Sequence, residues 1–378
     1  MWRVSIHPEW RLARGDAVPL GLPPLLRLLA RVQTGGSIAA AAREIGLSYR
    51  AAWGLLRDFE QALNAPLVVK TRGQGTQLSA LAEKLLWADR RVTARLSPTL
   101  ESLASELESE LEALIAPVRS GVRINASHGF AVAALLELLN QRQVPVELRY
   151  RNSTEAVAAL ARRECDFAGF HVATGAYQVA SVRPYLQWLD PEQHVLIHLA
   201  LRTQGLLVAR GNRHKIRGLA DLARPELRFV NRQVGSGTRV LLDLLLAQQG
   251  IAPSSVNGYA NAEFTHAAVA AYIASGMADV GFGLETAARR FQLDFLPLLR
   301  ERYFFACHAA ALRGPATRGV VDLLRSDEMR NVINALPGYD GSDAGKVIGI
   351  KEAFTTTPEK KTRPAKRARP AAGRKARQ

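Results

Sequence analysis

Through the first third of the chain, apolar residues recur every three or four positions. Further on they gather into short continuous runs that alternate with helical segments. Leu25, Leu28, Leu29 and Val32 mark one face of a helix opened by Pro23-Pro24 and ended by Gly35-Gly36. Ser37 is a natural N-cap for the next helix. Ser37 to Glu60, SIAAAAREIGLSYRAAWGLLRDFE, reads as two helices meeting at Gly46; Ala39 to Ala42 lie in the first, and Ala52, Leu55, Leu56 and Phe59 form the apolar face of the second. Two helices joined by a short glycine-containing turn fit a helix-turn-helix, and fit an ordinary alanine-rich hairpin as well. On the first reading Ser48, Tyr49 and Arg50 open the second helix, where polar groups reach base edges.

The next stretch favours that reading. Leu67 to Lys70 is a β-branched run, Arg72-Gly73-Gln74-Gly75 a turn, Thr76 to Leu78 a return strand, and Ser79 the cap of a further helix. A helix-turn-helix followed by a basic, glycine-tipped hairpin is a winged helix, whose wing would set Lys70 and Arg72 against phosphate. Ser97-Pro98 predicts a new helix start, followed by Leu100, Leu103, Leu107, Leu111 and Leu114 as far as Ala116-Pro117. That stripe is about 18 residues, or ~27 Å, long. Its flanks carry Glu101, Glu106, Glu108, Glu110 and Glu112. A narrow leucine seam with charged flanks suits pairing between subunits, and suits packing on its own chain equally. Ahead of all this, alternation from Met1 to Ala17 predicts a small β-hairpin.

From Gly121 strand and helix alternate in two sets, which predicts an α/β region with a mostly parallel sheet, two lobes and a cleft between them. Polar helix starts follow strands at Asn125-Ala126-Ser127-His128-Gly129, with Ser127 as cap, and at Arg151-Asn152-Ser153-Thr154. Another is Arg228-Phe229-Val230-Asn231-Arg232-Gln233-Val234-Gly235-Ser236-Gly237-Thr238-Arg239, a strand, a glycine turn and a helix N-terminus. Unpaired amides at such termini bind anions, and α/β sheets place ligands there. Each could also be a plain capped turn, and His128 and His266 could be surface or satisfied histidines. The last turn lacks the GKS/T of a P-loop and the full G-x-G-x-x-G fingerprint, so nucleotide binding is unsupported.

Composition narrows the function. A length of 378 residues suits two or three domains. The net charge of +16 favours a polyanionic partner, although from Lys360 onward there are nine Lys or Arg and no acid, which leaves +7 for the rest. Beyond Lys351 the Pro-, Ala-, Lys- and Arg-rich sequence predicts a disordered basic tail. No run approaches the ~18–20 apolar residues of a membrane span, and the N-terminus lacks the apolar segment of an export signal. Cys165 and Cys307 are the only cysteines, which predicts a reduced, cytoplasmic protein. Neither they nor the eight scattered histidines have metal-ligand spacing, and no catalytic pair emerges.

LSYRAAWGLL followed by LNAPLVVKTRGQGTQLSALAEKLL resembles the N-terminal domain of molybdate-responsive winged-helix regulators, and more distantly that of LysR-type regulators, over Leu20 to Arg91. The resemblance implies a recognition helix carrying Ser48, Tyr49, Arg50, Trp53 and Arg57, and a wing carrying Lys70, Arg72 and Gln74. Trp53 is expected to face the core; Arg57 is either a phosphate contact or a solvated charge. VNRQVGSGTRVLLDLLL, with NGYANAEFTHAAVAAYIASGMADVGFGLETAA, resembles the periplasmic-binding-protein-like domain fused to winged-helix regulators and to some molybdopterin-biosynthesis proteins, over Val122 to Gly349. Tungstate- and molybdate-binding proteins are similar in organisation. That likeness implies a ligand set of Ser127, Ser153, Ser236, Gly237 and Thr238, with His128 and Arg239 as charge partners.

The expected architecture is therefore multidomain: a winged helix-turn-helix (1–91), a linker or dimerisation helix (92–117), a two-lobed α/β periplasmic-binding-protein-like effector domain (121–350) and a disordered basic tail (351–378). The expected function is a one-component regulator, a homodimer or higher homo-oligomer, that reads double-stranded operator DNA and senses a small anion such as molybdate or tungstate. It would need no cofactor, metal, catalytic residue or membrane. The competing readings are a molybdenum-cofactor-related enzyme and an anion-binding protein whose basic segments bind DNA nonspecifically.

Overall fold

The computed structural model describes residues 3–15, 18–71, 75–115 and 121–354. Arg72 and Gln74 at the wing tip, and the basic tail from residue 355, lie outside them. At the N-terminus β1 (Arg11–Leu12) pairs antiparallel with β2 (Leu20–Gly21). The hairpin expected within residues 1–17 is thus displaced. Trp10 and Leu12 pack on the winged-helix core, which draws this strand toward the entry to the first helix, where Leu22 N donates to Trp10 O.

Helix α1 (Leu22–Gly35) starts with prolines in its first turn and stops where Gly36 adopts φ 63° and donates to Val32 O. Ser37 caps α2 (Ile38–Glu44) and Ser48 caps α3 (Tyr49–Leu63), each hydroxyl accepting from a backbone amide three residues on. Strands β3 (Val68–Thr71) and β4 (Gly75–Leu78) form the wing. It docks on the turn after α1: Thr76 N donates to Gly36 O. Gly75, at φ +77°, comes so close that a Cβ would lie 2.6 Å from Gly36 O.

Helix α4 (Ala80–Ile115) is one element of 36 residues, ~54 Å long, where the sequence suggested two helices divided at Ser97-Pro98. Pro98 is inside it. A proline cannot donate to the carbonyl four residues back, here that of Ala94. The helix nevertheless continues, and the Ala94 carbonyl accepts a hydrogen bond from Thr265 Oγ1 of the α/β region at 3.0 Å. Farther along, serines of α4 satisfy the edge of the sheet: Ser105 Oγ accepts from Leu148 N and Ser102 Oγ from Tyr150 N.

Beyond α4 come β5 (Val122–Ala126), α5 (Phe130–Gln141), β6 (Val146–Tyr150), α6 (Ser153–Ala161), β7 (Phe167–Ala173) and α7 (Gln178–Leu186). Next are β8 (His194–Val208), β9 (Phe229–Arg232), α8 (Gly237–Gln248), β10 (Ala262–Glu263), α9 (His266–Ala274), β11 (Val280–Leu284), α10 (Glu285–Arg290) and β12 (Asp294–His308). Helices α11 (Pro315–Arg325) and α12 (Asp327–Asn334), strands β13 (Tyr339–Asp340) and β14 (Val347–Gly349), and α13 (Ile350–Phe354) close the described chain.

The main sheet runs β10-β9-β11-β8-β12-β7-β5-β6. One lobe is built on the parallel strands β5, β6 and β7, the other on the parallel strands β9, β10 and β11. Strands β8 and β12, 15 residues each, pair antiparallel and run through both lobes. Polar Arg202 and Gln204 interrupt the apolar run, yet they remain in the strand because Glu301, on the facing strand, bonds both.

Candidate ligand cleft and DNA-reading surface

The exposed start of α3 is the DNA-reading candidate. Tyr49, Arg50 and Arg57 are exposed, and neither arginine makes an ion pair among the described residues. Ser48 is exposed too, but its Oγ accepts from Ala51 N at 3.1 Å, so its first role is as a cap. Trp53 is half-buried against the winged-helix core, with Tyr49 edge-on to its ring and Lys70 Nζ 5.2 Å from the ring centroid. Trp53 thus connects helix and wing.

At the other end, helix starts converge where β8 and β12 cross between the lobes. The cleft is lined by Ser127 and His128 before α5, by Asn152 and Ser153 at α6, by Ser236, Gly237 and Thr238 at α8, and by His266 at α9. The first-turn amides and dipoles of these helices favour negative charge. The floor holds Arg202, Arg232 and His171, with Glu301 fully buried beneath. Glu301 Oε1 accepts from Arg202 Nε at 2.5 Å and from Gln204 Nε2 at 2.8 Å, and its Oε2 lies 2.8 Å from His171 Nδ1. Burial by itself would raise the Glu301 carboxyl; Arg202, His171 and Gln204 outweigh it and bring its pKa to about 2.

Arg232 has no such counter-charge. It is 5 % exposed, and its Nε and Nη1 lack a partner. Burial, then the charge of Arg202, push its pKa down to about 9, so it remains cationic at neutral pH. Burial also keeps the histidines neutral, assisted by Arg232: His128 falls to about 4 and His266 lies well below its ordinary value. An unpaired buried cation is costly in an empty protein. The arrangement suits a small anion. The free space among these groups is about 10 Å³, on the scale of a single water. A larger groove of about 420 Å³ lies between residues 3–8, α4, α5 and β6; Glu101, Glu108 and Glu137 line it, which suits an anion poorly.

Of the ligand residues expected from sequence, Ser127, His128, Ser153, Ser236, Gly237 and Thr238 come together in this cleft. One local role differs from expectation. Ser127 does not cap α5, whose N-cap is Gly129; its hydroxyl is 3.2 Å from Tyr303 Oη. Asn152, one residue before Ser153, caps α6, which leaves Ser153 Oγ buried without a partner. Arg239 is the correction. Its Nε donates to Asp243 at 3.1 Å, its guanidinium lies 4.0 Å from the Tyr259 ring, and it turns away from the cleft. The i,i+4 carboxylate on its own helix captures it. Sequence reasoning missed Arg202, Arg232, His171 and Glu301. For Arg202 and His171 the available signal was a single charged or imidazole side chain within a strand that opens apolar, LALRTQG and FAGFHVATG; Glu301 is flanked by Arg300 and Arg302 and gave no such signal.

Residues 136–325 match the family model of the PBP superfamily domain, half of the chain. The chain belongs to that superfamily. Residues 24–83 match the bacterial regulatory helix-turn-helix protein, lysR family. A helix-turn-helix of the LysR type is thus followed by a two-lobed PBP-like domain. It is similar to the uncharacterized protein YvgK of Bacillus subtilis, 34 % identical over 203 residues, covering 53 % of this chain and 64 % of that protein. It is similar to the HTH-type transcriptional regulator CbbR of Xanthobacter flavus, 24 % identical over 355 residues, covering 89 % of this chain and 95 % of that one. A third similar protein is the molybdenum-pterin-binding protein MopB of Rhodobacter capsulatus, 28 % identical over 160 residues, covering 41 % of this chain and 58 % of that one. The chain thus spans less than two thirds of YvgK and of MopB. Among the described residues no helix is long and apolar enough to cross a membrane, and no group of three or more His, Cys, Asp or Glu could hold a metal ion.

Proposed function

We propose that the chain is a one-component regulator whose cleft binds a small oxyanion and whose α3 and wing read double-stranded operator DNA. The observation that carries the ligand reading is Arg232, buried and unpaired among converging helix N-termini. Molybdate and tungstate head the candidates, with support from the name of the Rhodobacter capsulatus relative. In this reading residues 1–91 are the reading head, 92–117 the linker and 121–354 the effector domain; the tail expected from 351 starts later, because Ile350–Phe354 form α13 with Ala353 buried, and 355–378 would add sequence-independent phosphate contacts. The first boundary divides tasks along α4, which is unbroken there. Leu103, Leu107, Leu111 and Leu114 are exposed along α4; they supply the seam for a second copy, so that a homodimer presents two α3 helices to two half-sites.

The route between the ends runs through α9. His266, its first residue, faces the cleft. Thr265, its N-cap, donates to the carbonyl that Pro98 leaves free, and Arg95 of α4 pairs with the buried Glu263 at 2.6 Å. An oxyanion needs more room than the roughly 10 Å³ present, so its binding shifts the lobes relative to each other, α4 moves with them, and the ligand shifts a population of α4 geometries. The test is a thermal-shift panel of molybdate, tungstate, sulfate, phosphate and small carboxylates, followed by operator binding with and without any anion that stabilises. One or more oxyanions should raise Tm, by about 2.7 kcal/mol of stability at 100 times Kd, and should change operator affinity by about 1–3 kcal/mol. A panel without any shift rejects the anion reading; a shift with unchanged operator affinity rejects the coupling.

A further inference from the structure

Charge and hydrogen-bond capacity in the cleft specify the ion more narrowly. Arg202 and Glu301 neutralise each other, whereas buried Arg232 and half-buried Arg151 line the cleft without an ion pair among the described residues. Both Glu301 oxygens are already engaged, by Arg202, Gln204 and His171. The Asn152 side-chain carbonyl accepts from Glu155 N, and Ser236 Oγ from Arg239 N. Donors are in surplus: Arg232 Nε and Nη1, Ser153 Oγ and the helix amides. No carboxylate oxygen among the described lining residues is left to accept a proton from a ligand.

His171 is placed to add a further positive charge. Its Nδ1 is held against Glu301 Oε2 at 2.8 Å. Its other edge lies against the first residue of α8, so close that a Cβ on Gly237 would sit 2.5 Å from Cε1 and 2.8 Å from Nε2. With the Nδ1 proton donated to the carboxylate, Nε2 carries a lone pair at the helix start. The charged and titratable groups around it are Glu301 and Tyr303 of β12, Arg202 of β8, Arg232 of β9 and His266 of α9. His266 and His128 have no carboxylate of this kind: His266 abuts Gly283 and His128 lies over Tyr150. Burial keeps His171 neutral, against the pull of Glu301 and with the push of Arg202 and Arg232. An anion on Arg232 removes that push and rewards a proton on Nε2.

We propose, resting on the anion reading above, that the cleft takes a doubly charged, proton-free oxyanion and that each binding event places one proton on His171 Nε2. The full-length chain is titrated calorimetrically with sodium tungstate at pH 7.5 in HEPES and in Tris, whose ionisation enthalpies differ. Uptake of close to one proton per ion is expected, with affinity falling up to tenfold for each pH unit between the free and bound pKa values of the imidazole. His171→Asn, which keeps a donor toward Glu301 and has no Nε2, should bind tungstate more weakly with almost no uptake. Tungstate binding without uptake, or unchanged uptake in His171→Asn, overturns the proposal and leaves the anion reading standing. Phosphate binding as tightly as tungstate overturns the proton-free specificity. Binding by phosphate but not by tungstate, molybdate or sulfate also overturns the proposal, and absence of binding by every anion of the panel overturns the anion reading itself. Should the variant not fold, imidazole nitrogen shifts of the wild-type chain decide: His171 moving to the imidazolium position on tungstate addition supports the assignment, and an unmoved His171 overturns it.

Discussion

Two sets of cations, one at each end of the molecule, face opposite physical conditions. Arg50 and Arg57 stand in solvent on α3, and Lys70 lies over the Trp53 ring beside them. Hydration keeps such charges cheap, and salt screens them. Arg202 and Arg232 are enclosed, one neutralised by Glu301 and the other unpaired. An exposed arginine is therefore compatible with many roles, including none. A buried, unpaired arginine is a standing cost, and under the proposed anion reading the ligand is the physical reason it can persist.

The largest expected effect tests that contrast directly. Arg232→Met removes the unpaired charge and keeps much of the side-chain volume. Replacing buried charge by apolar bulk is often neutral or stabilising by about 1–4 kcal/mol. The variant should melt at the same or a higher temperature in the absence of ligand, while tungstate affinity falls at least a hundredfold, about 2.7 kcal/mol. Thermal melts with and without tungstate measure both. A variant that is less stable and binds normally would make Arg232 a structural residue and dissolve the comparison. At the exposed end the same logic predicts little change in stability. Arg50→Ala should leave Tm nearly unchanged and cost about 1–3 kcal/mol in discrimination at one half-site base pair, read by binding to single-substituted operators.

This contrast also explains what could be read from the sequence. The winged helix was legible because local rules build it: Pro23-Pro24, Gly36, Ser37, Ser48 and Gly46 stand where starts and stops are required. The serine and glycine starts of the cleft were legible for the same reason. Its charged floor was not. Arg202 and Glu301 are 99 positions apart and meet only through the register of β8 and β12, which no local pattern specifies. Arg239 misled because its position in the helix start was right while Asp243, one turn on, offered a closer partner. Pro98 misled in the same manner: it would break a helix in isolation, yet the carbonyl it frees has found Thr265.

The smallest effect, at Thr265, is also the most discriminating, because that residue touches both ends of the comparison. Its hydroxyl donates to Ala94 O and accepts from Ala268 N. Thr265→Ser keeps both bonds and should behave as wild type. Thr265→Val keeps the shape and loses both, so α9 forfeits a cap, about 1 kcal/mol, and α4 regains an unsatisfied carbonyl. If the junction transmits the state of the cleft, the valine variant should bind tungstate and operator DNA with nearly wild-type affinity when each is measured alone. The factor by which tungstate changes operator affinity should shrink toward one, and by reciprocity so should the effect of DNA on tungstate binding. Uniformly weaker tungstate binding with the coupling factor intact would make Thr265 a cap and nothing more. Transmission would then have to pass through Arg95 and Glu263, the other contact between α4 and the start of α9.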